Sequence, residues 1–279
     1  MKYLVLGSSG QIGKPLCDFL QAQGHDVTEF DVKISPQHDL RTIDPDQLAK
    51  ICSRHDFVFF MAWDVGGSVY LEQKQKTFDF VHNNMAIATN VFAALAQSKT
   101  PFVFASSQMA NMDHSAYGLT KSLGELLTMA LNGLTVKFWN VYGYEEPSDK
   151  NHAITDFIFK AQKTGIISLR TTGEEMRQFL YADDCAECLY LLSQKFNHLD
   201  KSQTYDISSF EWSSIHNVAN IVAAYFDDCA VIPGLRHDSV QQDKRNEPSR
   251  LILEHWQPRT SLSQGIAKIL EKIYRKDFQ

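Results

Sequence analysis

The 279-residue sequence contains no long hydrophobic run. Its longest apolar stretch, Phe57 to Trp63, is too short to span a bilayer, and the run from Tyr3 to Leu6 stops at Gly7, far short of a signal-peptide core. Neither a membrane span nor a leader is expected, so the reading is a soluble, cytoplasmic protein. Basic excess is also missing. Lys and Arg number 27 against 33 Asp and Glu, a formal charge of −6, which is the wrong sign for gripping a phosphate backbone and argues against nucleic acid as a partner. Cysteine is sparse and odd in number (Cys17, Cys52, Cys185, Cys188, Cys229), so no disulfide framework is indicated. Cys185 and Cys188 form a CxxC, but no second Cys or His pair accompanies them, and packing inside a helix is the expected role. The chain has no HExxH, no Walker-type loop and no nucleophile elbow, which removes metalloprotease, P-loop and α/β-hydrolase chemistry. No metal is expected, and no repeat or low-complexity tract is present.

What the chain does have is rhythm. Runs rich in β-branched and aromatic residues at 3–7, 26–32, 56–62, 100–107 and 134–140 alternate with segments long enough to be crossover helices. This alternation predicts an α/β architecture, a parallel sheet covered on both faces. Apolar residues recur at helical spacing from Val69 to Gln97 and from Leu119 to Leu131, predicting two amphipathic helices. Beyond Gly143 the pattern loosens, EEPSDKN (145–151) reads as a loop, and a last helix is predicted over Leu262–Tyr274. The expected organisation is a nucleotide-binding domain over 1–147 with parts of 166–200, and a smaller lobe mainly over 148–279.

Chemistry concentrates at two places. GSSGQIG puts Gly7, Gly10 and Gly13 between the first strand and the first helix, where glycine permits a tight turn, close approach to a pyrophosphate and close helix packing. The helix N-terminus offers free N–H groups to those phosphates. Asp31 follows Gly13 by 18 positions at the end of the second strand run, where a carboxylate accepts from a ribose diol and repels a 2′-phosphate, favouring NAD over NADP. Lys33 is the nearby residue that softens this preference. The second place is YGLTK, where Tyr117 and Lys121 share a helix face one turn apart. An adjacent ammonium and an oxidised nicotinamide both favour the phenolate of such a tyrosine, and Ser107, ending FVFASS, is placed to share the hydroxyl hydrogen bond.

These motifs resemble the extended short-chain dehydrogenase/reductase family, the NAD-dependent nucleotide-sugar epimerases and dehydratases. GSSGQIG, Asp31, the Asp39–Leu40 pair, FVFASS (102–107), YGLTKSLGE (117–125), KFWNVYG (137–143), RQFLYADD (177–184) and HWQPRTSLSQGI (255–266) stand in the family's order. The resemblance implies a Rossmann-type doubly wound sheet with a smaller C-terminal substrate-binding lobe. It implies Tyr117 as base, Lys121 as the residue that holds the ribose, and Ser107 as hydroxyl partner. It also implies cofactor contacts at Gly7, Gly10, Gln11, Ile12, Gly13, Asp31, Asp39, Leu40, Met61 and Ala62. Substrate contacts are implied at Asn84, Gln108, Asn140, His152, Arg177 and Arg245, the last within a basic cluster with Arg236 and Lys244. A homodimer seam is expected on helices at 75–97 and 115–132. MAWDVGGSV (61–69) and VHNNMAIATN (81–90) are most similar to the GDP-fucose synthase and GDP-mannose 3,5-epimerase branch.

Two departures bear on the reaction. That branch carries a Cys two residues after the serine, where this chain has Met109, and the dehydratases carry an acidic pair where this chain has Gln108 and Met109. A thioether has no exchangeable proton. What remains is NAD-dependent oxidoreduction at C4 of a GDP- or UDP-linked sugar, by a 4-epimerase or a C4 dehydrogenase/reductase. A 3,5-epimerase or epimerase–reductase using His152 stays open, as does a non-catalytic nucleotide sensor on the same fold.

Overall fold

The computed structural model describes residues 1–242 and 246–277. The strands β1 (Lys2–Leu6), β2 (Asp26–Phe30), β3 (Phe57–Phe60), β4 (Phe102–Ser107) and β5 (Leu134–Phe138) alternate with the helices α1 (Gly13–Ala22), α2 (Pro45–Cys52), α3 (Ser68–Lys74), α4 (Phe78–Ser98) and α5 (Ala116–Ala130). Then follow β6 (Asn140–Tyr142), α6 (Ala153–Thr164), β7 (Ile166–Ser168), β8 (Met176–Tyr181), α7 (Ala182–Lys195), β9 (Thr204–Ile207), β10 (Trp212–Ser214), α8 (Ile215–Ala223), β11 (Ala230–Ile232) and α9 (Leu262–Asp277). Six strands form one parallel sheet in the order β2-β1-β3-β4-β5-β9. Alternate residues serve the two faces, as a strand's period of two requires. Tyr3, Val5, Phe57, Phe59 and Val136 meet the side formed by α1 and α7, while Leu4, Leu6, Val58, Phe60 and Phe104 meet the side formed by α2 and α4. The strand order reverses between β1 and β3, and such a switch point opens a crevice at the carboxyl ends of the strands.

Three element boundaries differ from the sequence expectation. β2 ends at Phe30 rather than Val32, leaving Asp31 as the first residue of the turn. The helical stretch at 69–97 is two helices, because the Thr77 hydroxyl accepts the Phe80 N–H and starts α4 afresh. The run 134–140 breaks at Trp139: β5 stays in the main sheet, and β6 turns into a second sheet, β10-β8-β6. That sheet, a β11-β7 pair and α6, α8 and α9 enclose a separate core of Tyr142, Phe157, Ile158, Tyr181, Val218 and Ile269. Asp184 ties the approach to α9 onto α7, its carboxylate accepting the N–H groups of Arg259 and Thr260 and the Thr260 hydroxyl. Both α7 and β9, the latter beyond residue 200, pack into the main sheet's layer. Cys185 and Cys188 lie fully buried in that layer, where burial pushes both thiols up. Among the described residues no helix is long and apolar enough to cross a membrane, and no cluster of His, Cys, Asp or Glu forms a metal site.

Candidate active site

A single cavity of about 1910 Å³ runs from the glycine loop, along the carboxyl ends of the main sheet, to the second core. Its cofactor end is shaped by missing side chains. Gly7 has φ +88°, and a Cβ there would stand 2.6 Å from the Ala62 amide nitrogen; at Gly13 it would stand 2.1 Å from the Gly7 carbonyl oxygen. The strand-to-helix turn therefore closes only with glycine at both positions. Ile12 precedes the first turn of α1, and Gln11, Met61, Ala62 and Leu40 line the same wall. The Ser8 hydroxyl and the Gln11 Nε2 are buried without a hydrogen-bond partner, an unusual debt for buried polar atoms and one that a bound phosphate or ribose would settle. The Asp31 carboxylate accepts the N–H groups of Ser9 (3.1 Å) and Lys33 (2.9 Å), which fixes it beside the loop. Asp39 is gripped by Arg41 through Nε (2.8 Å) and Nη2 (2.6 Å), and this ion pair holds its carboxyl below the usual range. These residues fit a dinucleotide.

At mid-cavity stand Ser107, Tyr117 and Lys121. Ser107 ends β4, and Ser115 caps α5 by accepting the Gly118 N–H at 3.0 Å. Gly118 is required there, because a Cβ would meet the Met109 carbonyl oxygen at 2.0 Å; this closeness sets Tyr117 against the serine strand. Burial pushes the Tyr117 phenol up to about 12, against a smaller opposing pull from the nearby Ser107 hydroxyl. Lys121 is 3% exposed, donates to the Ala105 carbonyl oxygen and is drawn well below its ordinary basicity by burial. Trp63, Phe104 and Tyr117 place their rings 4.1, 4.9 and 5.9 Å from its Nζ. Met109 is buried against Leu71, Phe80, Met112 and Tyr117.

Toward the second core, Gln108 takes two hydrogen bonds from Asn246 Nδ2 (3.0 and 2.8 Å), and the Asn140 Oδ1 is buried with no partner. Arg177 is buried, donates from Nη1 to the Met176 carbonyl at 2.7 Å and pairs through Nη2 with Asp238. His152 donates its backbone N–H to Glu145 Oε2 at 3.0 Å, and its Nδ1 lies 2.9 Å from Oε1 of the same carboxylate. Burial would raise Glu145, yet the His152 ring and backbone N–H outweigh that and hold it below the usual range.

Asn84 departs from its expected place. It is fully buried outside the cavity, its Oδ1 accepting the Asp64 N–H at 2.7 Å and its Nδ2 donating to the Asp64 carbonyl at 3.1 Å. Both polar atoms bond the backbone of Asp64 and so shape the loop after β3. Arg245, and Lys244 beside it, lie outside the described residues. Sequence reasoning also missed a strap across the cavity, in which Asp64 accepts from Lys150 (2.8 Å) and Tyr70 (2.7 Å). Gly67 completes it by donating to the Lys150 carbonyl.

The model of the NAD dependent epimerase/dehydratase family matches residues 3–208. The chain belongs to this family, and it is an enzyme. It is 24% identical over 308 residues to the GDP-L-fucose synthase of Sinorhizobium fredii, an alignment covering 96% of this chain and 93% of the relative. Among solved structures, it resembles a UDP-glucose 4-epimerase of Thermotoga maritima determined with UDP-glucose, at a TM-score of 0.81 and 18% identity over 100% of both chains. It also resembles a GDP-6-OMe-4-keto-L-xylo-heptose reductase from C. jejuni, at a TM-score of 0.84 and 18% identity over 99% of this chain and 98% of that one. At these identities the two structures establish the fold.

Proposed function

We propose that the enzyme carries out NAD-dependent oxidoreduction at C4 of a GDP- or UDP-linked sugar, as a 4-epimerase or a C4 dehydrogenase/reductase. The observation that carries this reading is the convergence of Ser107, Tyr117 and Lys121 on the cavity that also holds the glycine loop and Asp31. Tyr117 takes the C4 hydroxyl proton, Ser107 shares that hydrogen bond, and Lys121 supplies the cation that favours the phenolate. NAD, when bound, would supply the hydride acceptor or donor for C4. Gly7, Gly10, Gln11, Ile12 and Gly13 would hold its pyrophosphate, with Asp31 on the adenosine ribose and Asp39, Leu40, Met61 and Ala62 along its length. Arg177 and Asn140 would meet the nucleotide sugar, with Arg177 leaving Asp238 for a phosphate. Residues 1–147 with the returning α7 and β9 form the cofactor domain, and most of 148–279 the substrate lobe. Leu119, Leu123, Leu126 and Met129 leave an apolar stripe of α5 exposed, the surface we assign to a homodimer. The test is a panel of GDP-, UDP-, dTDP- and ADP-sugars, followed by NADH absorbance and by NMR of the product. C4 products from a GDP- or UDP-sugar are expected; no turnover or redox exchange with any member would sink the proposal.

A second reading, 3,5-epimerisation or epimerisation with reduction, is favoured by one observation. The Glu145 carboxylate turns the His152 ring so that Nδ1 faces it, leaving Nε2 for the cavity, an arrangement suited to proton transfer. Met109 weighs against it.

A further inference from the structure

A buried lysine normally keeps its charge by pairing with a carboxylate. Lys121 does not follow that pattern. Its hydrogen bond goes to a neutral carbonyl, and Glu125, one turn further along α5, favours its charge through space only, being hydrogen-bonded by the Ser106 hydroxyl and paired with Lys137 of β5 at 3.3 Å. Asp64, on the loop after β3, is likewise spent on Lys150, Tyr70 and Asn83. What surrounds the ammonium is aromatic, and the indole of Trp63 is the nearest ring at 4.1 Å from its centroid.

The indole is itself held. Its Nε1 donates to Thr120 Oγ1 at 3.4 Å, and it packs on Phe60 and edge-on against Phe104, at centroid distances of 6.0 and 5.5 Å. We propose that Trp63 is a positioning residue for Lys121, its ring face holding the ammonium in place and charged where the Tyr117 phenol needs a cation. Tryptophan is the strongest of the aromatic cation partners, and desolvation strengthens the attraction. The role rests on the reading of Tyr117 and Lys121 as the proton-handling pair, and explains how a buried lysine meets that demand with no carboxylate in direct contact.

The test alters the ring's charge distribution without its size. The protein is produced with 5-fluoro-, 5,7-difluoro- and 4,5,6,7-tetrafluorotryptophan, each fluorine withdrawing electron density from the ring face. The Lys121 titration is followed by NMR of 13Cε-labelled lysine in the cofactor-free protein, with Lys121→Arg identifying the signal. The midpoint is expected to fall stepwise by about one pH unit across the series. NADH affinity and the pH profile of turnover are measured on the same samples, and the loss of the charged lysine should lower turnover about tenfold at neutral pH. In Trp63→Phe the series should be flat, which controls for Trp139, Trp212 and Trp256. A Lys121 midpoint that stays constant while Trp63 is progressively fluorinated overturns the inference. Near-normal turnover in Lys121→Met would instead sink the reading of the catalytic pair, while the NMR series still decides what Trp63 does.

Discussion

Replacing Tyr117 with Phe removes one oxygen and leaves the ring among Leu71, Phe80, Met109, Met112 and Val240. The fold should survive, since the loss is one hydroxyl and its polar interaction beside Ser107, about 1 kcal/mol, and almost no volume. The chemical loss is far larger. Burial pushes the phenol up to about 12, so at pH 7 only about one molecule in 10⁵ carries phenolate. Bringing the titration to neutrality takes about 7 kcal/mol of favourable interaction with the phenolate beyond what the cofactor-free site supplies, which would fall to the oxidised nicotinamide. Two results follow. In the cofactor-free enzyme, ultraviolet difference titration should show no tyrosinate from Tyr117 until strongly alkaline pH. Adding NAD⁺ should bring one tyrosinate toward neutral pH in the wild type and none in Tyr117→Phe. Turnover in Tyr117→Phe should fall on the order of 10²–10⁴, the range for deleting a general acid–base group. A variant retaining a tenth or more of wild-type turnover, or showing the same NAD⁺-induced tyrosinate signal, refutes the reasoning.

Asp31→Ala should raise NADP(H) affinity relative to NAD(H) at least tenfold in calorimetric titrations without unfolding the domain; tighter NADP(H) binding by the wild type would contradict the NAD assignment. Gly13→Ala places a methyl 2.1 Å from the Gly7 carbonyl, so NADH affinity should drop by more than tenfold, read by nucleotide fluorescence. Glu145 is held below the usual carboxylate range. Its stabilising contribution is therefore complete above about pH 4.3, the ordinary glutamate value, and is lost as pH falls through the lowered folded value, so Glu145→Gln should flatten the acid limb of a stability-versus-pH curve from urea unfolding. In D₂O, deuterium should not enter C3 or C5 of the substrate at the rate of turnover; incorporation with inversion at that rate, vanishing in His152→Ala while hydride transfer persisted, would promote the second reading.

The sheet was legible because its strands are buried on both faces and read as unbroken apolar runs, as at Phe57–Phe60. The candidate site was legible where the backbone demands a residue type, as at Gly7 and Gly13, and where helical spacing puts Tyr117 and Lys121 on one face. It was not legible where the partner lies far along the chain. Nothing in the sequence pairs Asp64 with Lys150, 86 positions apart, or turns Glu145 of a polar loop onto His152. The ligand contact that the resemblance implied at Asn84 stands beside contacts no sequence pattern announces, its side chain bonding both the N–H and the carbonyl of Asp64.

The two readings of the chemistry differ by protons. C4 oxidoreduction moves one hydroxyl proton and one hydride, and on the proposed reading Tyr117 with Ser107 and Lys121 would handle the proton. Inversion beside the resulting ketone needs a base on one face of the ring and an acid on the other. The position two residues after Ser107 gives no proton, because Met109 is a buried thioether. His152 alone would take a proton and return it to the same face, which exchanges hydrogen with solvent and leaves the configuration unchanged. Slow wash-in with retention therefore belongs with C4 chemistry, and only wash-in with inversion, at the rate of turnover, requires a second acid that the elements around Ser107 do not supply.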